Sequence, residues 1–478
     1  MILRTGVFIF LMISVQAFSQ KTKPDSVIAP SSMKYAETAI LKKIFWGSNY
    51  RKVWAEPVKA KVFYLSGSGF KIKKLGGGQQ TRSLRLLDKK GEEWVLRTVD
   101  KDVSNVLIPT FLPKSFVLPI LQDIISASFP YAPLVVYDLA KTSGIVAAKP
   151  ELYWVGEDPA LGDYSIFFAN QFCFLEKREP TPDDTDTKST SNVLKEIMGE
   201  NDHHVIQTSL LRARLLDMLV ADWDRHVDQW RWDEVDTAGI NYYYGIPRDR
   251  DQAFFLSNGL VIKMVRLAGF KQFAGFQHDL HLKSLNKKSW TFDRTFLNEL
   301  NREDWEKMVR QFQSGLSDVA IEKAVKKLPA EIFKISGEEF IDKLKERRDE
   351  LGSEAIKYYE HISKVVVVNG TPEDEYFYFQ NKGEHLELTV VDKKSNRPIY
   401  IRQFQSPETW KIIVAGKGGK DSWLMAGSTS SRIRVEIQGG KDKDEYQLKG
   451  NVRTMIIDNK SGSDVFELGK KVKKKLRK

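Results

Sequence analysis

Short runs of alternating apolar and polar residues lie between residues 61 and 99. Four strands are predicted from them, at residues 61–65, 70–75, 83–87 and 94–99. Glycine-bearing turns at 67–69, 76–78 and 91 separate these runs, which predicts a small antiparallel sheet. Apolar positions at helical spacing follow at 107–139, interrupted at Pro113 and Pro130, and two more strands are predicted at 152–155 and 166–175.

The pattern changes after a polar segment at 180–192, which has nothing to bury and is predicted to be an exposed loop. Apolar residues then recur at helical spacing from 205 to 221 and again from 294 to 364. From Val365 onward, short strand runs alternate with Gly, Asn, Asp and Pro. The prediction is an α+β protein with a sheet-rich lobe at 61–179, a helical lobe at 193–364 and a separate all-β domain at 365–469.

The amino terminus is typical of an exported protein. Residues 1–20 combine Arg4, an uncharged apolar run and small residues near Ser19, as a cleavable signal peptide does. We expect the mature chain to lie in the periplasm or at the cell surface. Residues 21–60 are predicted to be a tether and lead-in, with structure starting near Tyr35. No later segment is apolar and long enough to span a membrane.

Composition narrows the classes of protein further. The chain has 478 residues with 42% hydrophobic and 29% charged residues, enough for buried cores in more than one domain. Its single cysteine, Cys173, excludes an intrachain disulfide and four-cysteine zinc sites. The net charge of +11 is spread along the chain except for a basic run at 470–478. We interpret that run as a solvated tail that contacts anionic envelope surfaces, and we expect no nucleic-acid partner.

One glycine- and aspartate-rich stretch lies within the all-β region. Residues 439–444 read Gly-Gly-Lys-Asp-Lys-Asp, which is similar to a calcium-binding β-roll repeat. A single copy with lysines between the carboxylates is poor calcium chemistry. We expect no calcium there.

Acidic and basic residues are densest in two loops. The first, 221–230, contains Asp224, His226 and Gln229 directly after the apolar helix. The second follows a predicted hairpin and contains Asp249 and Asp251. Two such loops suit phosphoryl transfer, because one carboxylate can position a nucleophile while another holds the magnesium that neutralises phosphates.

These loops resemble those of the atypical kinase-like fold shared by CotH kinases, HipA-type kinases, phosphatidylinositol kinases and secretory-pathway casein kinases. The sequence Asp224-Arg225-His226 is similar to their catalytic Asp-x-His, and Gln229 stands where a metal-binding Asn is usual. Residues 247–254 are similar to the CotH-type Pro-Trp-Asp-x-Asp-x-x-Phe, whose acids bind magnesium. The resemblance covers 61–364 and implies a two-lobed kinase-like domain with Asp224 and His226 as catalytic residues and Gln229, Asp249 and Asp251 as metal ligands.

The resemblance also assigns nucleotide-binding residues in the sheet-rich lobe. Gly76, Gly77, Gly78 and Gln80 form a glycine-rich turn that can bring backbone N–H groups against phosphate. The cation that pairs with phosphate in this family corresponds here to Arg97, with Lys101 as the other candidate, and the helix carboxylate that orients it corresponds to Asp123. The implied cofactors are ATP or another nucleotide with Mg²⁺ or Mn²⁺.

Residues 77–81 and 97–102 also resemble a segment that follows the metallophosphoesterase domain of larger exported bacterial proteins. No phosphoesterase motif is present in this chain, so phosphatase activity is not implied.

Three functions stay open on the sequence. The first is an exported nucleotide-dependent phosphotransferase, and the second is a kinase-like binding module without turnover at the cell envelope. The third is a metal-dependent hydrolase built on the same acids. The acceptor is a protein, a glycan or a lipid.

Overall fold

The computed structural model describes residues 23–36, 39–77, 82–103, 113–183, 185–256, 258–382, 384–459 and 464–477. The predicted signal peptide at 1–20, Gly78 and Gln80 lie outside these residues. The predicted α+β organisation, with a sheet-rich lobe, a helical lobe and an all-β domain, is confirmed.

The sheet-rich lobe alternates strands with short helices. Its elements are β1 (Ser26–Pro30), α1 (Ile40–Trp46), α2 (Arg51–Ala55), β2 (Pro57–Phe63), α3 (Leu65–Ser68), β3 (Lys71–Gly77), β4 (Arg82–Leu87), β5 (Glu93–Thr98), α4 (Lys114–Ile124), α5 (Ala132–Thr142), β6 (Glu151–Val155), α6 (Ser165–Phe168) and β7 (Gln171–Lys177). The strands form one seven-stranded sheet in the order β1-β2-β6-β7-β5-β4-β3.

Two predictions for this lobe are wrong. Structure begins before Tyr35, since β1 at Ser26–Pro30 already pairs with β2; the burial of Tyr35 and Trp54 agrees with the predicted start. The segment was misjudged because an edge strand with exposed, proline-flanked positions looks polar in sequence. The sheet is also not wholly antiparallel, because β2 runs parallel to β6. These two strands are far apart in sequence, and only tertiary pairing fixes their relative direction.

The helical lobe is built around buried helices and one hairpin. Its elements are β8 (Lys188–Ser189), α7 (Thr190–Ile197), β9 (His203–Val205), α8 (Gln207–Leu219), β10 (Trp230–Thr237), β11 (Ile240–Pro247), α9 (Leu260–Leu267), α10 (Leu282–Leu285), α11 (Trp290–Phe296), α12 (Arg302–Gly315), α13 (Asp318–Val325) and α14 (Ala330–Ile362). The predicted loop at 180–192 is therefore shorter than expected, because β8 pairs with β10 and Ser189 caps α7.

The core of the helical lobe surrounds α8, which is buried around most of its circumference. Ten of its thirteen residues are buried, including the charged Arg214 and Asp217. A helix with no solvated face must be enclosed by other elements. Helices α12 and α14 and strand β11 pack around it. Because α8 is enclosed, the first acidic loop, which follows it, starts from a fixed position in the lobe.

The carboxy-terminal domain consists of strands alone in the described residues from 365 onward. Its elements are β12 (Val365–Asn369), β13 (Glu375–Asn381), β14 (His385–Asp392), β15 (Pro398–Gln405), β16 (Lys411–Ala415), β17 (Ser422–Ala426), β18 (Arg434–Gln438), β19 (Glu445–Leu448), β20 (Arg453–Asn459), β21 (Val465–Leu468) and β22 (Val472–Arg477). They form two sheets, in the orders β12-β16-β18-β20-β22 and β15-β14-β13-β17-β19-β21.

Strands β13, β14 and β15 pair antiparallel within one sheet. From β16 onward, successive strands alternate between the two sheets, so that each coil stacks on the one before in parallel register. Four aromatic rings repeat at equivalent positions and stack inside the domain, in the order Phe377, Trp423, Tyr446 and Phe466. The first pair has its ring centroids 3.9 Å apart. The stretch at 439–444 is therefore the loop between β18 and β19 in one coil of a two-sheet repeat, and the sequence pattern did not reveal the other coils.

A row of four acids precedes these aromatic positions: Glu375, Asp421, Asp444 and Asp464. The backbone N–H of each of the first three donates to the carboxylate of the next, at 3.0, 3.0 and 3.2 Å. Burial and the neighbouring carboxylates raise the pKa of Asp421 to about 9. Burial also raises the pKa values of Glu375 and Asp444 to about 7. The carboxyl groups of Asp421, Asp444 and Asp464 act as hydrogen-bond acceptors between turns.

The predicted basic tail at 470–478 is wrong in part, because β22 pairs with β20 from Val472 to Arg477. Consecutive lysines look solvated in sequence, but on an exposed edge strand they also discourage pairing with other chains. Lys474 lies 3.9 Å from the Phe466 ring centroid. Among the described helices, none is long and apolar enough to cross a membrane.

Candidate active site

The first acidic loop begins where α8 ends. Ala221 has a positive φ of 56°, which turns the chain out of the helix. Asp222 follows and is buried, and its Oδ1 accepts the backbone N–H of Asp224 at 3.2 Å. This hydrogen bond tightens the loop and directs the next residues away from the core.

Asp224 keeps a partly exposed carboxylate. Its Oδ1 lies 2.8 Å from Lys288 Nζ, and that ammonium also lies 4.5 Å from the Trp223 ring centroid. His226 has other partners, because its Nδ1 accepts the backbone N–H of Asp228 at 3.3 Å and its Nε2 lies 3.4 Å from Gln229 Nε2. The structure places Asp224, His226 and Gln229 in one loop. Lys288, from a separate element, was not identified from the sequence.

The second acidic loop follows β11. Asp249 has a positive φ of 54°, an unusual backbone conformation for a residue other than glycine. Its Oδ1 lies 2.7 Å from Arg97 Nη1, and Arg97 Nη2 lies 3.2 Å from Glu176 Oε1 on β7. The cation predicted in β5 therefore meets a carboxylate of the other lobe. Glu176 is a further site residue that the sequence did not reveal.

Lys101 makes the second contact between the lobes. Its Nζ lies 2.5 Å from Asp251 Oδ2, and the lysine side chain is buried. Both cations proposed from the sequence therefore contact the two acids proposed as metal ligands. The arrangement requires the tertiary fold, since 97–101 and 249–251 are about 150 residues apart in the chain.

Charge and burial shift the two acids in opposite directions. Burial raises the pKa of Asp249, but the charges of Arg97, Lys101 and Arg225 outweigh it, so the net pKa is lowered. Burial and the neighbouring Asp249 raise the pKa of Asp251 despite Lys101. Asp249 is therefore held in its ionised form, and ionisation of Asp251 costs more free energy than ionisation of Asp249. Close like charges separate pKa values in this way.

A buried ion network lies beneath both loops and centres on Asp217 of α8. Arg225 Nε lies 3.2 Å from Asp217 Oδ2 and Arg250 Nε lies 2.9 Å from Asp217 Oδ1. Arg214 Nη1 adds a third contact at 3.0 Å. Arg225 and Arg250 are the middle residues of the two acidic motifs. One carboxylate therefore fixes both loops relative to each other.

Asp222 is the most perturbed acid of the first loop. Its pKa is raised to about 7, because burial and the charges of Asp217 and Asp251 outweigh the nearby Arg225. The influence of Asp251 on Asp222 shows that the two loops lie within electrostatic reach. Asp222 is not assigned a role by the sequence, although it belongs to the same acidic cluster.

Asp123 pairs with cations other than those that the sequence predicted. Its carboxylate contacts Arg51 at 2.5 and 3.0 Å and Lys42 at 2.8 Å, instead of orienting Arg97 or Lys101. Asp123 is on α4 as expected, but α1 and α2, which the sequence assigned to the lead-in, supply cations closer to it. Asp123 therefore joins α4 to those helices, and Glu176 takes the place beside Arg97.

The glycine-rich turn is described only in part. Gly76 and Gly77 end β3 and pair with Ser83 and Arg82 of β4, and Gly77 has a φ of 116° that favours glycine. A side chain at Gly76 would approach Ser83 Oγ to 3.1 Å. The prediction that this turn binds phosphate stays a prediction.

Two adjoining cavities lie between the lobes, with volumes of about 80 and 60 Å³. Both are lined by Pro133, Glu176, Asp249 and Arg250, and the larger also by Arg97, Lys101 and Asp251. Sites for ligands of drug size typically measure about 300–1,000 Å³. A nucleotide would therefore have to separate the ion pairs or open the lobes.

A second group of possible metal ligands surrounds His203, near Glu196 and Glu234. Lys188 Nζ lies 2.8 Å from Glu196 and 2.9 Å from Glu234. The lysine satisfies these carboxylates, so the cluster is an ion-paired group.

No protein-family model and no curated protein sequence matches the chain. Among solved structures, it is similar to the Helicobacter pylori proinflammatory kinase CtkA, with 14% identity, 62% of this chain and 98% of that chain covered, and a TM-score of 0.36. It is also similar to the Golgi casein kinase with Mn/ADP bound, with 12% identity, 62% and 75% covered, and a TM-score of 0.33.

A third similar structure is the Rio2 kinase–ADP/Mg²⁺–phosphoaspartate complex from Chaetomium thermophilum, with 12% identity, 56% and 72% covered, and a TM-score of 0.26. All three are kinases. At these identities and TM-scores the likeness does not bear on chemistry, so the function is argued from the side chains alone.

Proposed function

We propose that the chain is an exported phosphotransferase of the atypical kinase-like type that uses a nucleotide and a divalent metal ion. The observation that carries the proposal is the pairing of Arg97 with Asp249 and of Lys101 with Asp251 across the lobes. Two cations and two carboxylates meeting in one cleft can separate to bind phosphate and metal, respectively.

The donor set fits magnesium or manganese. Asp249, Asp251 and the amide oxygen of Gln229 are oxygen ligands, which these hard cations prefer. When bound, the metal would neutralise charge on the phosphates. The lowered pKa of Asp249 keeps one ligand ionised near neutral pH. The alternative of a metal-dependent hydrolase gains no support from the described residues that line the two cleft cavities, which include no histidine.

Arg97 and Lys101 would bind the nucleotide phosphates once released from the acids. Arg97 can remain oriented by Glu176, because it contacts that carboxylate through a second nitrogen. Lys101 is buried, so a phosphate would replace the charge that Asp251 now supplies. These exchanges preserve charge pairing in the cleft.

Asp224 would accept a proton from the acceptor hydroxyl or orient it for in-line attack on the terminal phosphate. Its partly exposed carboxylate is suited to that role, since an acceptor could displace Lys288 from one of its oxygens. His226 would line the same acceptor site. The acceptor class stays open between protein, glycan and lipid.

The proposal is tested by calorimetric titration of the purified protein with a non-hydrolysable ATP analogue, with and without Mg²⁺. We expect magnesium-dependent binding in the wild type, retained binding but no phosphoryl transfer in Asp224→Asn, and weakened magnesium-dependent binding in Asp251→Asn. Asp228→Asn is the matched control, because it lies in the same loop and its side chain is 88% exposed.

A wild-type protein that binds no nucleotide in a magnesium-dependent manner would refute the phosphotransferase and leave a kinase-shaped binding module. Equal effects of Asp228→Asn and Asp251→Asn would also contradict the assigned roles. The proposal of export is tested separately, by the cellular fraction in which the chain accumulates and by its amino-terminal residue there.

A further inference from the structure

Two short helices present an exposed apolar surface next to the first acidic loop. Eight side chains form what we call the apolar face: Ile40, Leu41, Ile44 and Phe45 on α1, and Leu260, Met264, Leu267 and Phe270 on or after α9. Leu267 is 87% exposed and Ile40 is 77% exposed. The described chain has 25 exposed large hydrophobic residues, and these two segments carry eight of them. Concentrated exposure of this kind marks an interaction surface.

The two helices are in contact. Asn258 and Ser48 exchange two hydrogen bonds, each of 3.1 Å. Gly259, at the start of α9, lies so close to Trp46 that an added Cβ would be 2.4 Å from its carbonyl carbon. The apolar side chains of α1 and α9 therefore belong to one surface.

The charged residues that these two segments carry have one sign, and the nearby carboxylate of Asp123, on α4, is paired with Lys42 and Arg51. Residues 38–55 and 252–278 contain no Asp or Glu. Lys43 and Lys263 are exposed beside the apolar side chains, and Arg266 is partly exposed. A face that is apolar and whose exposed charges are cationic complements an anionic surface that also has an apolar interior.

A cavity of about 640 Å³ opens beside α9. Its cations are Lys263, Arg266, Lys283 and Lys357, and its one carboxylate, Glu354, is bound to Lys357 at 2.7 Å. Leu267 belongs to both the cavity wall and the apolar face. The cavity is large enough for a small anionic group and is continuous with exposed apolar side chains.

We propose that the apolar face docks on a bilayer that contains anionic phospholipid, with an anionic headgroup in the cavity beside α9. The apolar side chains would enter the boundary between headgroups and acyl chains, while Lys43, Lys263 and Arg266 contact headgroup phosphates. Docking does not depend on the phosphotransferase activity. It concerns a surface different from β22, whose lysines lie in the all-β domain.

Docking would also orient the candidate active site. Lys287 Nζ donates to the carbonyl of Gly269 at 2.6 Å, and the adjacent Lys288 binds Asp224. Lys287 and Lys288 therefore link the segment after α9, which would lie beside the bilayer, to Asp224. If the proposed function holds, an acceptor at the membrane surface is the one that this geometry favours.

Sedimentation of the purified full chain with vesicles tests the docking. Vesicles of phosphatidylcholine alone are compared with vesicles in which part of that lipid is replaced by phosphatidylglycerol. We expect sedimentation with the second kind only. Leu267→Ser should weaken partitioning roughly tenfold, because one leucine leaves the bilayer. Lys263→Gln with Arg266→Gln should weaken it roughly 30-fold, because two headgroup contacts are lost.

Two controls carry matched changes elsewhere. Val319→Ser alters a side chain that is 73% exposed on α13, and Lys473→Gln with Lys475→Gln removes two charges from β22. Both should bind as the wild type does. The proposal is overturned by equal binding to both vesicles, by no binding, or by loss only in the β22 variant. A dimer that the α9 variants dissociate, without vesicle binding, would instead identify a second copy as the occupant and also overturn it.

Discussion

Asp217→Asn should disrupt the helical lobe more than any comparable change in the acidic loops. The carboxylate is fully buried and lies within 3.2 Å of three arginine side chains, Arg214, Arg225 and Arg250. Asparagine has a similar size but no charge, and its amide N–H₂ faces guanidinium donors. The one oxygen that remains cannot accept from all three guanidinium groups. Arg250 is affected most, because its other hydrogen bond goes only to the carbonyl of Ala213, at 3.3 Å.

The size of the effect follows from the burial. Removing one partner of a buried ion pair typically costs about 3–5 kcal/mol, because the remaining charge is left uncompensated. Here Arg250 depends most on the carboxylate. Arg225 retains the carbonyls of Arg248 and Gln229 and a contact with Asp222, and Arg214 retains its ion pair with Asp293 at 2.7 Å. We therefore expect a loss of roughly 3–5 kcal/mol in the free energy of unfolding, near the value for one unpaired charge.

Urea unfolding followed by tryptophan fluorescence measures this loss, with Asp224→Asn as the matched control. Asp224 is partly exposed and pairs with Lys288, so its change should cost less than about 1 kcal/mol. Burial raises the pKa of Asp217, but the charges of Arg225, Arg250 and Arg214 outweigh it, so the net pKa is lowered. Its contribution is present above the ordinary carboxyl pKa and is lost as pH falls through the lowered value.

The difference in stability between the wild type and Asp217→Asn should therefore shrink on strong acidification. A loss below about 1 kcal/mol at neutral pH, or one equal to that of Asp224→Asn, would refute the central role of this carboxylate.

Two further predictions concern residues outside the cleft. The raised pKa of Asp421, about 9, means that the folded all-β domain binds a proton that the unfolded chain releases, so stability falls as pH rises from about 4 to 9. Asp421→Asn should therefore flatten this dependence and raise the melting temperature at pH 8 by several degrees, as calorimetry at pH 5 and pH 8 would show; an unchanged slope contradicts it. Asp123→Asn should cost about 1–3 kcal/mol by loosening the contacts with Arg51 and Lys42, yet leave magnesium-dependent nucleotide binding unchanged. Impaired binding by this variant, with Asp228→Asn as control, would restore Asp123 to the nucleotide site.

The sequence alone predicted the elements whose residues repeat with a local period. Helix α8, the hairpin of β10 and β11, and strands β12 to β16 follow from apolar spacing and turn residues, because local periodicity determines which face of an element is buried. The two acidic loops were found for the same reason: their charged residues are contiguous in the chain. Whether Asp224, His226 and Gln229 act in catalysis is still a prediction.

The tertiary structure decided the features that join distant segments. The pairs Arg97–Asp249 and Lys101–Asp251, the role of Glu176 and the network at Asp217 all link residues far apart in sequence, and no local pattern records such contacts. The same limit explains β1, β22 and the partner of Asp123. Edge strands and buried ion pairs consist of residues that look solvated in sequence, and only the packing of other elements against them determines their place.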